Sequence, residues 1–247
     1  MNLLLVEHLQ ERYSFEAEDS RTAQILRLGG SEICVGIVNG PRGIGRFHRE
    51  PKGAVSIERI RWEAERHLPP PVDLFVGLPR PAEARRILVQ AAAMGVRRIG
   101  LMILDRTPPG YASSRSLQAE AVDRLLREGL EQGFHTALPD FRMVSGLSGL
   151  WSSVDPSGPV TVLDPYLGED LLGEGGAAPD FPGTVVFGSE RGFSPGEQRQ
   201  IREADVRRRH LGPSILRTET AVVAALALAH RQVGFSRTSD RSVIRPD

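Results

Sequence analysis

One cysteine, one lysine, few aromatic side chains, no net charge and no long apolar run mark this chain of 247 residues. Each shortage excludes something. Cys34 stands alone inside the apolar run Ile33-Cys34-Val35, so no intrachain disulfide forms and no zinc site is built from cysteine. A buried, inert thiol is expected there, and no metal site anywhere. The 31 basic and 31 acidic residues cancel, which argues against a uniformly basic nucleic-acid coat but not against a local basic face. Lys52 is the only lysine, so positive charge is almost all arginine, the better residue for bidentate phosphate contacts. GC-rich coding produces the same skew. The longest apolar run, Ala221 to Ala229, is too short to span a bilayer, and the amino terminus has neither a basic n-region nor a signal-peptide apolar core. A soluble, cytoplasmic protein is expected.

What is present suffices for a real core: 40% of residues are apolar, over a length that permits one large or two small domains. Residues 1–68 read as a small β domain. Met1 to Val6, Ala23 to Leu28, Glu32 to Val38 and Ala54 to Ile60 are its strand candidates, punctuated by Gly29-Gly30, Gly40-Pro41 and Gly43-Ile44-Gly45. Short strands so closely spaced suggest a small barrel. His67-Leu68-Pro69-Pro70-Pro71 is a linker, because a proline run continues neither helix nor central strand. Residues 72–235 then alternate strand and helix. Leu74 to Leu78, Arg98 to Leu104, Phe141 to Val144 and Val160 to Leu163 read as strands, and Pro81 to Met94 and Ser116 to Gln132 as amphipathic helices. Gly168 to Pro182 is a glycine-rich loop. The alternation predicts an α/β fold, a mostly parallel sheet with helices on both faces. Residues 236–247 lack an apolar pattern and are expected to be a disordered tail.

The stretch from Thr184 to Ala229 organises the rest. Thr184-Val185-Val186-Phe187 reads as a buried strand, and Gly188-Ser189-Glu190-Arg191-Gly192 follows as a turn with unladdered backbone. Ser194-Pro195-Gly196-Glu197 is a capping box with proline at the first helical position. Leu211-Gly212-Pro213-Ser214-Ile215-Leu216 forms a second loop, and Arg217 to Gln232 a helix, apolar on every side from Ala221 to Ala229 and so expected to be buried all round. Singly, these are turn glycines and helix caps. Together they are two loops that present backbone at strand carboxyl ends, where open α/β sheets bind ligands.

GSERGFSPGE followed by LGPSILRTETAVVAALAL resembles the paired signatures of the bacterial 16S ribosomal RNA uridine-N3 methyltransferases, the RsmE family of the SPOUT superfamily. Ser189 and Arg191 replace the proline and middle glycine of the family's first signature, whereas Leu211 to Ala221 follows the second nearly residue for residue. The resemblance implies a SPOUT-type carboxyl-terminal domain with a deep trefoil knot and a small amino-terminal PUA-like β-barrel that binds RNA. It implies a homodimer using S-adenosyl-L-methionine on ribosomal RNA of the small subunit. Carried over by position, the cofactor shell is Leu163, Gly188, Ser189, Glu190, Leu211, Gly212, Ile215 and Leu216, with Thr218 near it.

N3 of uracil bears a weakly acidic proton, so methylation needs that proton removed or the anion stabilised. Arg217, at the amino end of the last helix where the dipole adds positive potential, is the catalytic candidate; an ion pair with Glu190 or Glu219 is its alternative role. Arg21, Arg27, Arg42 and Arg46 are candidate phosphate contacts or scattered surface charge, and Arg106 sits roughly where the family has a loop arginine. The middle third departs: Pro79-Arg80 stands where the family has a lysine, and Glu131-Gln132-Gly133-Phe134-His135 replaces a Glu-Gln-Ser-containing segment. Two competitors therefore stay open, a SPOUT methyltransferase with another RNA target and a non-catalytic RNA-binding or ribosome-assembly protein. A nucleotide-binding oxidoreductase is disfavoured, since no G-x-G-x-x-G follows a strand.

Overall fold

The computed structural model describes residues 3–28, 30–63, 68–69, 71–155, 158–174 and 183–232. The expected tail, and parts of the proline linker and glycine-rich loop, lie outside them. The described chain divides into two compact units, one holding the residues up to Leu68 with Leu130–Leu138, the other Pro69–Gly129 with the residues from Pro139 onward.

The first unit contains β1 (Leu4–Val6), β2 (Arg12–Phe15), α1 (Ser20–Leu28), β3 (Glu32–Ile37), β4 (Arg42–Arg49) and β5 (Val55–Trp62). Its strands form one mixed sheet in the order β1-β3-β4-β5-β2, parallel only between β1 and β3. The sheet curls into a half-barrel. Alternate residues of these strands, with Ile25 of α1, close the core around Leu4, Val35, Phe15 and Ile57. Cys34 is buried, and that burial pushes its thiol above the usual value.

One expectation here is overturned: Ala23 to Leu28 lies in helix α1, not in a strand. The Asp19 carboxylate accepts the Arg21 N–H at 2.8 Å, which starts the helix and turns Thr22 and Ile25 inward. A short apolar run does not distinguish helix from strand by itself.

The second unit contains β6 (Asp73–Gly77), α2 (Pro81–Met94), β7 (Arg98–Ile103), α3 (Ala119–Gly133), β8 (Asp140–Ser145), α4 (Gly146–Trp151), β9 (Val160–Leu163), β10 (Asp170–Leu171), β11 (Thr184–Phe187), α5 (Pro195–Glu203), β12 (Arg207–His210) and α6 (Thr218–Gln232). The end of α3, from Leu130, groups with the first unit. Among the described residues, seven parallel strands run in the order β10-β12-β9-β11-β6-β7-β8. β6 and β11 are buried at every position, as strands covered on both faces must be, which explains their nearly unbroken apolar sequence. Asp73 is the charged exception. It is fully buried and gripped by the Arg97 guanidinium through two 2.8 Å hydrogen bonds, which hold that guanidinium above its usual pKa.

β12 has no apolar pattern at all. It forms because it pairs with β9, while Arg208 and Arg209 make ion pairs with Glu169 and Asp170. After β12, α6 packs against α2 and β11. The expectation that α6 is buried on every side is not met. Val222, Ala225, Leu226 and Ala229 are buried, but Ala227 is exposed and Val223, Ala224 and Leu228 are half-buried. One stripe of the helix faces the core, and the other apolar residues stand on the opposite side.

Candidate functional site

Because the sheet is parallel, the loops that follow its strands emerge at one end. Those after β7, β9, β11 and β12 enclose a cleft of about 360 Å³, within the range of small-molecule sites. All nine residues of the expected cofactor shell line it: Leu163, Gly188, Ser189, Glu190, Leu211, Gly212, Ile215, Leu216 and Thr218. Arg106 joins them from the loop after β7.

The first glycine turn is tied from several directions. Ser189 donates its hydroxyl to the Gly192 carbonyl at 2.9 Å and accepts the Arg191 N–H at 3.3 Å, so the serine closes the turn on itself. Glu190 accepts the Arg80 backbone N–H at 2.9 Å and its Nε at 3.3 Å. Glu190, seconded by Glu83, holds the Arg80 guanidinium above its usual pKa. Arg106 donates to the Arg191 carbonyl at 2.6 Å. Behind the turn, the expected capping box is present: Ser194 Oγ accepts the Glu197 N–H at 3.1 Å, and Glu197 accepts the Ser194 N–H at 2.7 Å. The same buried carboxylate accepts the Asp105 N–H at 2.9 Å, and Ser194 Oγ donates to Asp105 at 2.6 Å. The turn after β11 is thereby fastened to the turn after β7. Gly77, at the end of β6, lets it lie down: a Cβ there would collide with the Ser189 nitrogen.

The second loop is held more lightly. Gly212 has φ +106°, open only to glycine, and its N–H donates to His210 Nδ1 at 3.0 Å. Ser214, Ile215, Leu216 and Arg217 are exposed. The Arg217 carbonyl accepts the Ala221 N–H at 2.9 Å, which sets Arg217 at the amino end of α6. Its side chain makes neither of the alternative ion pairs, since Glu190 is engaged by Arg80 and Glu219 by Arg86. Arg217 does not line the cleft, but Leu216 and Thr218 on either side of it do.

The other arginine candidates belong to the first unit. Arg42 is only 15% exposed and donates to Glu63 at 3.3 Å and to the Phe134 carbonyl at 2.9 Å, so its bonding serves the fold. Arg21 lies over the Phe15 ring, 5.9 Å from its centroid. Arg27 and Arg46 are exposed. The sequence reading missed Asp164, Tyr166, Arg191 and His210, which line the cleft as well. Asp164, 6% exposed, accepts the N–H groups of Tyr166 at 2.7 Å and Leu167 at 3.0 Å, pinning the turn after β9. Among the described residues, no three His, Cys, Asp or Glu side chains gather as metal ligands. No described helix is long and apolar enough to cross a membrane.

A parallel sheet whose carboxyl-edge loops wall a backbone-lined cleft is shared by a defined class of enzyme. The chain belongs to the RNA methyltransferase family, whose domain model matches residues 66–230. Its relatives narrow the class. Ribosomal RNA small subunit methyltransferase E of Treponema pallidum is 28% identical over 240 residues, spanning 92% of this chain and 90% of that one. Ribosomal RNA small subunit methyltransferase E 1 of Borreliella burgdorferi is 22% identical over 229 residues, 91% of this chain and 95% of the other. In fold, the chain matches the crystal structure of a ribosomal RNA small subunit methyltransferase E from Neisseria gonorrhoeae bound to S-adenosyl methionine. The TM-score is 0.72 at 19% identity, covering 94% of this chain and 97% of that one.

Proposed function

We propose that this protein transfers the methyl group of S-adenosylmethionine to N3 of a uridine in small-subunit ribosomal RNA, in the cytoplasm and as a homodimer. One observation carries the reading: both glycine-bearing turns, separated by α5 and β12, wall the same cleft. The residues present fit the cofactor. Turn backbone offers hydrogen-bond donors and acceptors for adenine and ribose, while Leu163, Phe187 and Leu216 offer apolar contact for the base. When bound, the cofactor supplies an electrophilic methyl group.

The protein's own residues then have three tasks. The two turns orient, since a near-attack geometry lowers the barrier only if the reacting atoms are held. Arg217 steadies the negative charge left when uracil loses its N3 proton; a guanidinium and a helix amino terminus act in the same direction. Arg106, Arg21, Arg27 and Arg46 supply positive charge for the RNA backbone. The pairing of Glu190 and Glu219 with other arginines supports the catalytic role for Arg217 over the ion-pair one. The outer apolar stripe of α6, exposed at Ala227 and half-buried at Val223 and Leu228, supports the dimer, because a second copy would cover it.

Calorimetric titration with S-adenosylmethionine tests the first half, and mass spectrometry of small-subunit RNA from a deletion strain the second. Saturable cofactor binding and a missing N3-methyluridine, restored by the gene, are expected. Absence of cofactor binding would leave only the non-catalytic RNA-binding alternative. A different missing nucleotide would redirect the activity to another target.

A further inference from the structure

Tyr166 is the most exposed large apolar side chain among the described residues, at 79%. It also lines the cleft. Of the five exposed large hydrophobics in the second unit, three (Tyr166, Ile215 and Leu216) share this cleft, so the exposure is concentrated rather than scattered. The ring is displayed on a stiff mount. Asp164 is buried and accepts the backbone N–H groups of Tyr166 and Leu167, and its carbonyl accepts the Gly168 N–H at 2.9 Å. The backbone that carries this exposed ring is thus held in place by a buried aspartate.

The charge around the ring indicates its occupant. Of the carboxylates on the cleft, Glu190 is paired with Arg80, and Asp164 accepts two backbone N–H groups. Arg106 and Arg191 line the same cleft and supply two guanidinium groups to it. An aromatic face beside positive charge is what an unpaired nucleotide uses: the base stacks on the ring while the guanidinium groups face the phosphates. A protein partner would use the apolar ring but has no need of the charge.

We infer that Tyr166 is a stacking platform for the base that enters the cleft, and so a determinant of RNA affinity rather than of cofactor binding. The inference rests on the proposed methyltransferase reading, but its test does not need turnover. In full-length protein, RNA affinity would be read by fluorescence anisotropy with a labelled small-subunit RNA fragment, cofactor affinity by calorimetry, and oligomeric mass by light scattering. Tyr166→Ala is expected to weaken RNA binding, and raise KM for RNA, by about fivefold to a hundredfold. Tyr166→Phe, which keeps the ring, should restore wild-type affinity. Cofactor affinity and mass should be those of wild type in both variants. Unchanged RNA affinity in Tyr166→Ala overturns the inference. So does a selective loss of cofactor affinity, which would assign the ring to the donor, or a change of mass, which would assign it to a protein interface. Failure of the methyltransferase reading itself would appear in the wild type, as absent cofactor binding or absent methylation, whatever the variants do.

Discussion

Two turns face each other across the cleft and are held by opposite means. The one after β11 is fastened by neighbouring segments: Arg80 on Glu190, Arg106 on the Arg191 carbonyl, and Asp105 with Glu197 behind. The one after β12 is tethered by the Gly212 N–H on His210, and its residues are exposed in succession from Ser214 to Arg217. The first turn is built as part of the core's edge, and the second as a surface that something else completes. Stability is therefore concentrated in one wall and responsiveness in the other.

That contrast can be broken from either side. The largest effect is expected in the second loop: Arg217→Ala should cut methylation at least a hundredfold, a barrier change of about 2.7–4 kcal/mol, with cofactor affinity near wild type. Single-turnover assays beside calorimetry check it, and unchanged turnover removes the catalytic role. Next comes the first turn. Glu197→Ala strands the N–H groups of Ser194 and Asp105, each worth about 1–3 kcal/mol, and should lower the thermal midpoint measurably. If that variant kept its stability and lost only cofactor affinity, the two walls would not differ as described. The smallest effect is expected for His210→Ala. Losing the acceptor of one hydrogen bond, about 0.5–1.5 kcal/mol, should weaken cofactor binding by up to about tenfold and lower the thermal midpoint less than Glu197→Ala does.

The second unit is largely legible in the sequence because its strands and helices carry strong, period-specific patterns. Val160–Leu163, Thr184–Phe187 and Pro81–Met94 fall where the sequence puts them. The first unit is less so. Gly43 and Gly45 read as punctuation, yet both lie inside β4, where the strand pairs with β5 through a bulge and a Cβ at either glycine would strike β5. Arg207–His210 carries no strand signal, since its conformation is imposed by the ladder to β9 and by acidic neighbours. At the site, eight of the nine shell residues gather in one cleft because the signatures that carry them encode the turns themselves, and Leu163 joins them from the end of β9. Tyr166 and His210 escape a sequence reading for another reason. Their importance depends on which strand ends lie side by side, and that is a property of sheet order.

Walls made of peptide amides have an evolutionary consequence. A main-chain carbonyl persists whichever side chain its residue bears, and every residue but proline keeps its N–H, so replacements at Ser189 and Arg191 can alter how a bend is braced while leaving most of the groups it presents inward. Donor recognition is buffered against drift. Novelty in target choice then has most room at the rim, where Tyr166 stands exposed.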